Sequence, residues 1–284
     1  MKKHSKNSIL KILCIVALVI LIGIFLFSAG SLIQYYIDSH QSKQTYEGLQ
    51  SLRGDYTRPA PQLPTAAESD SPPATEPPSS LVTVTDPDTG EEVQLLQELA
   101  ELYSLNTDLV GWLTIPDTNV DYPVVQRPEA QDYYLYRDFY GKYDAHGCLY
   151  AREQCDVAAP SDNITIYGHR MQDHTMFGHL AKYERKEFWQ DHQFLYFDTL
   201  TEHHTYQIIY VLTTTASMGE GFQYHLFVDA QAREDYNRFL TDCARNSIYD
   251  TGLTASYGDK LITLSTCEYT HENGRLVIVA KRID

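Results

Sequence analysis

The hydrophobic and polar positions divide the chain into an apolar segment near its start, a polar and proline-rich stretch, and a long region of mixed pattern. Residues 12–33 carry no charge and are rich in Ile, Leu, Val and Phe. At a rise of about 1.5 Å per residue, a helix of this length matches the roughly 30 Å hydrocarbon core of a bilayer. The pattern therefore predicts a transmembrane helix over residues 12–33.

The charges before this segment predict its orientation. Four lysines and no acidic residue precede it, and the positive-inside rule keeps such a flank in the cytoplasm. We therefore expect residues 1–11 to form a cytoplasmic tail of a single-pass membrane protein whose remaining chain is extracytoplasmic. A cleaved signal peptide is the alternative, because small residues occupy positions 28–31. We favour the uncleaved anchor, since the apolar run exceeds the roughly 7 to 15 residues of a signal peptide's apolar region.

Residues 34–90 predict a juxtamembrane segment and a linker. The polar residues 34–56 can continue the membrane helix for a few turns. Eight of the twelve prolines lie between Thr57 and Gly90, and proline fixes φ and removes a backbone donor, so no packed element is expected there. This composition predicts an extended, semi-rigid spacer. A proline-rich docking ligand is the other interpretation.

Residues 91–284 predict a folded extracytoplasmic domain of mixed, mainly β structure. Apolar positions spaced by three and four residues predict a helix over residues 91–104. Eight β-branched or aromatic runs predict strands over residues 112–115, 122–126, 148–152, 164–167, 194–197, 206–214, 260–266 and 275–281. Two more helices are predicted over residues 176–189 and 229–248, the second with Asp229 as its N-cap. So many strands with few long crossovers favour a largely antiparallel closed barrel carrying helical insertions.

Composition narrows the classes of function. A net charge of −16 argues against a nucleic-acid-binding protein, which needs a basic face for phosphates. Five cysteines without C-x-x-C spacing argue against both a disulfide scaffold and a structural zinc site. At least one free thiol is expected.

One candidate for chemistry is a thiol at the end of a strand. The apolar run over residues 260–267 ends in Cys267, and Arg275 opens the next predicted strand. Adjacent strands would bring the thiol close to the guanidinium, which offers a rigid fork of donors. A buried structural Cys beside a surface Arg is the alternative, since free Cys is among the most buried residue types.

A cysteine nucleophile needs a group that carries its proton, and histidine is the usual one. His169 is the first candidate, because it follows an apolar strand and a glycine that ends it. His271 is the second candidate, although it lies in a polar turn. The other histidines of the head are expected to be mostly solvated: His146, His174, His179, His192, His203, His204 and His225.

Four segments together resemble the sortases, membrane-anchored cysteine transpeptidases of Gram-positive bacteria. They are Tyr167-Gly-His-Arg-Met171, Met176-Phe-Gly178, Thr263-Leu-Ser-Thr-Cys267 and Arg275. The nucleophile strand, the segment over residues 111–126 and the long insertion over residues 215–259 make the resemblance closest to class B. The similarity covers residues 91–283. It implies a closed eight-stranded sortase-type β-barrel with an N-terminal helix and a helical insertion before the nucleophile strand.

The resemblance also implies roles for individual residues. Cys267 would be the nucleophile, His169 the general acid and base, and Arg275 the group that positions the substrate or stabilises the oxyanion. Contacts with the substrate are expected from Leu135, Ser265 and Glu268, for which plain packing or solvation is the alternative. Cys148 and Cys155 are expected to be reduced, because exported proteins of Gram-positive bacteria tend to lack disulfides.

The implied reaction is anchoring of proteins to the cell wall. A secreted client protein with a C-terminal sorting motif would be cleaved after a Thr, and its acyl group joined to an amine of the cell-wall peptidoglycan, with no cofactor. Two alternatives remain from the residues alone. The first is a cysteine endopeptidase that hydrolyses the same intermediate, and the second is a non-catalytic surface-binding module on a stalk.

Overall fold

The computed structural model describes residues 3–54, 80–215, 217, 219–267 and 273–284, with side chains from residue 13 onward. The chain divides into two compact units, residues 1–44 and 45–284. Helix α1 (Lys3–Arg53) forms the described part of the first unit, and its last residues belong to the second unit. By length and composition it can cross a membrane, and none of its apolar window is buried by other residues. This helix is compatible with the predicted anchor, whereas most of the predicted proline-rich linker, residues 55–79, lies outside the described residues.

The described part of the second unit contains ten strands and three further α-helices. The strands are β1 (Leu81–Thr85), β2 (Glu92–Leu96), β3 (Leu109–Thr114), β4 (Asp121–Val125), β5 (Leu149–Ala151), β6 (Asn163–Tyr167), β7 (Phe194–Thr199), β8 (Thr205–Thr215), β9 (Leu261–Cys267) and β10 (Gly274–Arg282). The helices are α2 (Ala100–Leu105), α3 (Lys186–Asp191) and α4 (Arg233–Asn246). Short 3₁₀ helices occupy Gln97–Leu99, Tyr133–Tyr136, Gly178–Glu184 and Tyr224–Leu226.

Strands β3 to β10 close into a barrel in the order β10-β8-β7-β3-β4-β5-β6-β9. Neighbouring strands are antiparallel except for the pairs β4–β5 and β6–β9, which are parallel. Each of the eight predicted strands overlaps one strand of this barrel. The predicted closed eight-stranded barrel is therefore confirmed, with two parallel pairs that strand patterns do not distinguish.

The two faces of β9 and β10 belong to different hydrophobic clusters. Side chains of one face lie in the barrel interior: Ile262, Leu264, Leu276, Ile278 and Ala280. The opposite face packs against the helical insertion through Leu261, Val277 and Val279, which contact a cluster that includes Tyr236 and Phe239 of α4. Because side chains alternate along a strand, Cys267 lies on the same face as Leu261, which is the face toward the insertion.

Helix α4 is the amphipathic helix of that insertion. It buries Tyr236, Phe239, Leu240 and Cys243 on one face, as its spacing predicts. Its N-cap, however, is Ala232, and Asp229 lies outside the helix. The carboxylate of Asp229 instead accepts a hydrogen bond of 2.9 Å from the backbone N–H of Asp162. The predicted capping role of Asp229 was therefore wrong, because the side chain fastens the insertion to the start of β6.

The predicted helix over residues 91–104 was wrong in its first half. Residues 92–96 form β2, which pairs in antiparallel register with β1, and only Ala100–Leu105 is α-helical. The strand β1 also lies in the stretch predicted to hold no packed element. Seven of the prolines precede it, and its own sequence, Leu81-Val-Thr-Val-Thr85, alternates β-branched residues. Pairing between the two segments overrides the helical spacing of the second one.

The predicted helix over residues 176–189 is divided into a 3₁₀ helix and α3. Arg185 between them is extended, with φ −104° and ψ 126°. Met176 at the predicted start has φ 50°, a left-handed conformation that does not begin a helix. The apolar spacing is thus met by two short helical turns instead of one helix.

The end of α1, from Thr45 onward, is part of the second unit. Tyr46 and Leu49 are buried there, and the Arg53 guanidinium lies between the carboxylates of Asp121 and Asp198. The compact unit therefore begins at Thr45, whereas the sequence places the start of the folded head at residue 91.

Candidate active site

The thiol and the guanidinium singled out by sequence are neighbours. Cys267, the last residue of β9, is the direct antiparallel partner of Arg275 in β10. Directly opposed residues project from the same face, with Cβ atoms about 4.5–5.5 Å apart. Cys267 is a free, half-buried thiol. The structure thus brings this Cys and this Arg together on the face toward the insertion.

His169 reaches the same end of the barrel through the parallel pair β6–β9. Tyr167 pairs with Ser265, and the backbone N–H of Gly168 donates to the Ser265 carbonyl at 3.2 Å. The Thr266 hydroxyl donates to the Gly168 carbonyl at 2.8 Å. His169 follows Gly168 and Cys267 follows Thr266, so each lies one residue after a hydrogen-bonded position.

A glycine is required immediately before His169. A Cβ atom on Gly168 would lie 2.4 Å from Leu149 Cδ2 and 2.8 Å from the Phe177 ring. Both neighbours belong to the barrel interior. The close approach lets the chain leave β6 sharply and present the next side chain, which is why the sequence has Gly at this position.

A hydrogen bond to a backbone carbonyl orients the imidazole of His169. Its Nε2 lies 2.7 Å from the backbone carbonyl oxygen of Leu135. A carbonyl only accepts hydrogen bonds, so Nε2 carries a proton and, in the neutral ring, Nδ1 is left as the acceptor. The ring also lies beside Tyr136, with ring centroids 5.3 Å apart.

The surroundings of His169 favour its neutral form. Burial is the largest effect and lowers the pKa of His169. The hydrogen bond to the Leu135 carbonyl and the Asp144 charge oppose it, the positive charges of His146 and Arg275 add to it, and the pKa is lowered overall. A neutral imidazole with a free Nδ1 lone pair can take a proton from a thiol at neutral pH.

Arg275 keeps its charge available. Its Nη1 donates to the backbone carbonyls of Asn273 at 3.3 Å and Gly274 at 3.0 Å. Within the described ranges, which omit residues 268–272, no carboxylate forms an ion pair with this guanidinium. The arrangement leaves a cation beside the thiol with its other donors free to meet a ligand.

Comparisons with known proteins show the family to which the chain belongs. A sequence model of the sortase domain matches residues 113–283, which is more than half of the chain. The chain belongs to the sortase family. It is 32% identical over 192 residues to sortase B of Listeria monocytogenes, covering 67% of this chain and 76% of that protein. It is 29% identical over 188 residues to sortase B of Staphylococcus aureus, covering 66% and 75%.

Solved structures agree on the class. A crystal structure of sortase B from Bacillus anthracis superposes with a TM-score of 0.67 at 28% identity and covers 88% of this chain and 99% of that one. A Staphylococcus aureus sortase B–substrate complex superposes with a TM-score of 0.61 at 29% identity, covering 67% and 86%. The protein is therefore a class B sortase, a cysteine transpeptidase, and not a non-catalytic binding module.

The other cysteines of this sortase do not compete with Cys267. Cys148 and Cys155 are free, as expected, and both are buried. Burial raises the pKa of Cys148 to about 12 and also raises the pKa of Cys155 and Cys243. Among the described residues of the barrel unit, Cys267 is the one thiol that is not buried.

The three residues predicted to contact a substrate have different surroundings in the sortase structure. Leu135 is half-buried, and its carbonyl holds His169. Ser265 is 1% exposed, and its hydroxyl lies 2.6 Å from the hydroxyl of Tyr224. Glu268 lies outside the described residues, as does His271, the second histidine candidate.

Tyr224 is a site residue that sequence reasoning missed. It belongs to the insertion and is buried against β9, and its pKa is raised by burial, with Cys267 and Arg275 close enough to act on it. One Tyr among 22 in the chain, placed in a short 3₁₀ helix, carries no spacing signal. Only the tertiary packing of the insertion reveals its contact with Ser265.

The expectation that most remaining histidines are solvated was wrong for three of them. His146 is 1% exposed, His203 8% and His204 6%. Each has a ring nitrogen within 4 Å of a carboxylate oxygen, so the buried imidazole faces negative charge instead of water. The polar sequences around these histidines suggested that their side chains are exposed. In the folded protein, other residues cover them.

Proposed function

We propose that this sortase cleaves a C-terminal sorting motif of secreted client proteins after a Thr and joins the new carboxyl group to an amine of the cell-wall peptidoglycan. The single observation that carries the proposal is the direct pairing of Cys267 with Arg275 across β9 and β10. It places a nucleophile beside a fixed cation, as attack on a peptide carbonyl requires.

In the first half of the reaction, the Cys267 sulfur attacks the Thr carbonyl. The thiol proton passes to Nδ1 of His169, which becomes an imidazolium. That proton then goes to the leaving amine as the peptide C–N bond breaks, and a thioacyl enzyme remains. The lowered pKa of His169 favours this second transfer, because an imidazolium in a buried site gives up its proton readily.

In the second half, an amine of the cell-wall peptide attacks the thioester. His169 takes one proton from the incoming amine and returns it to the departing Cys267 sulfur. One amide has been exchanged for another, so no cofactor, oxidant or net water is needed. If water attacks instead, the product is a free carboxylate, which is the endopeptidase alternative.

Arg275 is proposed to stabilise the negative charge that develops on the Thr carbonyl oxygen. Its Nη1 is held by the backbone carbonyls of Asn273 and Gly274, beside the thiol. Removal of an oxyanion donor typically costs about 10²-fold or more in rate. Leu135, Ser265 and Glu268 are proposed to contact the sorting motif, and for Ser265 the contact is proposed to include the partner hydroxyl of Tyr224.

The location of the protein follows from the same proposal. Residues 12–33 would anchor it in the cell membrane, with residues 1–11 cytoplasmic, residues 34–90 as juxtamembrane segment and linker, and the catalytic domain over residues 91–284 outside the cell. The four lysines before the apolar segment support this orientation. The cell-wall acceptor and the secreted clients both lie on that side.

The experiment incubates the full-length protein in detergent micelles with a library of Thr-containing peptides, with and without an amine acceptor. The proposal predicts a product joined to the acceptor and faster consumption of the peptide when acceptor is present. A cleaved product whose rate and identity ignore the acceptor would instead establish the endopeptidase. Cys267→Ala is the control that should form neither product.

A further inference from the structure

Two chain segments surround His169. The first runs over residues 133–147 and supplies the Leu135 carbonyl that accepts from Nε2. The second is the loop over residues 170–177 that follows His169. This loop returns to its start, because the Phe177 N–H donates to the His169 carbonyl at 2.9 Å and Arg170 forms a bridge with Met176. The position of His169 relative to Leu135 therefore depends on how these segments are joined.

His146 lies between the two segments. It is 1% exposed. Its Nδ1 lies 3.0 Å from Oδ1 of Asp144 in the first segment, and its Nε2 lies 3.3 Å from Oδ2 of Asp173 in the second. The buried imidazole of His146 thus connects the Leu135 segment to the loop that follows His169.

The segment around His146 also supports the Leu135 carbonyl directly. Gly147 has φ +61°, and a Cβ atom on it would lie 2.4 Å from the Leu135 oxygen. The Asp144 N–H donates to the Tyr136 carbonyl at 3.1 Å, and the Cys148 N–H donates to the Tyr134 carbonyl at 3.1 Å. The backbone over residues 144–148 therefore packs against the residues on both sides of Leu135.

The charges around His146 favour its protonated form. Burial lowers its pKa, but hydrogen bonds and charges of Asp144 and Asp173 outweigh burial, so the pKa is raised overall. Both ring nitrogens face carboxylate oxygens, and only an imidazolium donates from both. Other titratable groups of the described residues also face this cluster: Asp138, Cys148, His169, Tyr46 and Tyr122.

We propose that His146, by bonding to Asp144 and Asp173 at once, is a positioning residue that fixes the loop after His169 against the Leu135 segment and so keeps Nδ1 of His169 free for the thiol proton. This inference rests on the proposed role of His169 as general acid and base. His146 touches no reacting atom and acts through the Leu135 carbonyl.

The test uses three variants of the full chain in detergent. Asp173→Ser retains an oxygen near Thr175, which the Asp173 carboxylate now holds at 2.6 Å, but its side chain is too short to reach His146. Asp173→Asn keeps the length, so its amide can donate to a neutral His146 and restore the connection. His203→Gln is the matched control, because His203 is also buried between two carboxylates, Asp198 and Glu98. His203 lies just before β8. The start of β8 pairs with the C-terminal end of β10, whereas Arg275 lies near the N-terminal end of β10.

The first measurement is ¹⁵N NMR of histidine-labelled protein, with the His169 signals assigned by their loss in His169→Gln. It needs no turnover and therefore separates this inference from the proposed reaction. We expect a protected Nε2–H proton on His169 in the parent, Asp173→Asn and His203→Gln proteins, and its loss to exchange in Asp173→Ser. The second measurement is steady-state kinetics, in which Asp173→Ser should lower kcat about 10-fold or more, since small misplacements of a catalytic group are costly. KM should change little.

The inference is overturned if Asp173→Ser melts as the parent does and retains both the protected His169 proton and the parental kcat. It is also overturned if the His203→Gln control lowers kcat and exposes the His169 proton to the same degree, because the effect would then reflect general loosening of the barrel. If Asp173→Ser unfolds, the comparison is made between the Asp173→Asn variant and a His146→Asn variant. His146→Asn can bond to Asp144 but not to Asp173, and it must lose the His169 proton signal that Asp173→Asn keeps.

Discussion

The hydroxyl of Thr266 donates a 2.8 Å hydrogen bond to the carbonyl of Gly168 and so joins the ends of β9 and β6. These strands run parallel and are separated by about a hundred residues in sequence. The bond lies one residue before Cys267 on one strand and one residue before His169 on the other. It is therefore the contact that sets the spacing of the proposed nucleophile and its proton carrier.

Thr266→Val is expected to reduce both stability and turnover. The substitution keeps the shape but leaves the Gly168 carbonyl without this donor, at a cost of about 1–3 kcal/mol in the free energy of unfolding. The distance between Cys267 and His169 is then less well defined, so kcat should fall about 10-fold. Urea unfolding and steady-state kinetics measure the two effects.

Thr263→Val is the matched control for that experiment. Its hydroxyl donates to Asn163 Oδ1 at 2.7 Å, between the same two strands but three residues further from Cys267. We expect a similar loss of stability with kcat close to the parental value. Equal losses of kcat in both variants would show that the Thr266 contact has no special role.

Substitution of Arg275 should affect the chemical step more than the fold. The guanidinium is bound to two backbone carbonyls on a partly exposed strand end, so Arg275→Ala should leave the melting temperature nearly unchanged. Loss of the cation is expected to lower kcat about 10²-fold. Arg275→Lys should recover only part of this, because an ammonium lacks the planar fork. A wild-type kcat in Arg275→Ala would exclude the proposed role.

The hydrogen bond between Tyr224 and Ser265 can be measured by a double-mutant cycle. Both side chains are buried, so Tyr224→Phe alone or Ser265→Ala alone leaves one hydroxyl without its partner, at about 1–3 kcal/mol. The double variant should cost less than the sum of the single ones, because both polar groups are gone. Additive losses of unfolding free energy would show that the two hydroxyls are not coupled.

The titration of His169 should occur below the ordinary histidine value of about 6.5. Burial disfavours its imidazolium, and the Arg275 charge adds to this, so the neutral form persists to lower pH than in a peptide. The sign for folding follows: the unfolded chain binds a proton here first, so this site destabilises the fold as pH falls below the ordinary value. In Arg275→Gln the NMR titration midpoint of His169 should rise. A midpoint at or above 6.5 in the parent protein contradicts this description.

Most of the barrel could be predicted from sequence, because its strands are short runs of β-branched and aromatic residues that are buried on both faces or alternate. The run that ends in Cys267 and the one that opens at Arg275 were also correctly predicted to be neighbouring strands, since only seven residues separate these two positions in sequence. The site residues on these runs were therefore accessible to sequence reasoning.

The contacts made across long sequence separations could not be predicted from the sequence. The parallel pairing of β6 with β9 and the β1–β2 hairpin depend on partners that local spacing does not reveal, which is why residues 92–96 suggested a helix. His146 resembled a solvated loop histidine because its carboxylate partner Asp173 belongs to another loop. Tyr224 was equally hidden, since only the folded insertion brings it to Ser265.

The most direct test of the central claim is peptide mapping by mass spectrometry of the protein quenched in acid during turnover of a sorting peptide that extends beyond its Thr. Acyl transfer through Cys267 predicts an added mass, equal to the peptide up to and including its Thr, on the fragment that contains Cys267, and it predicts loss of this mass when an amine is added before the quench. The four other cysteines are internal controls and should remain unmodified. Turnover that continues in Cys267→Ala, or an acyl group found on another residue, would contradict the account.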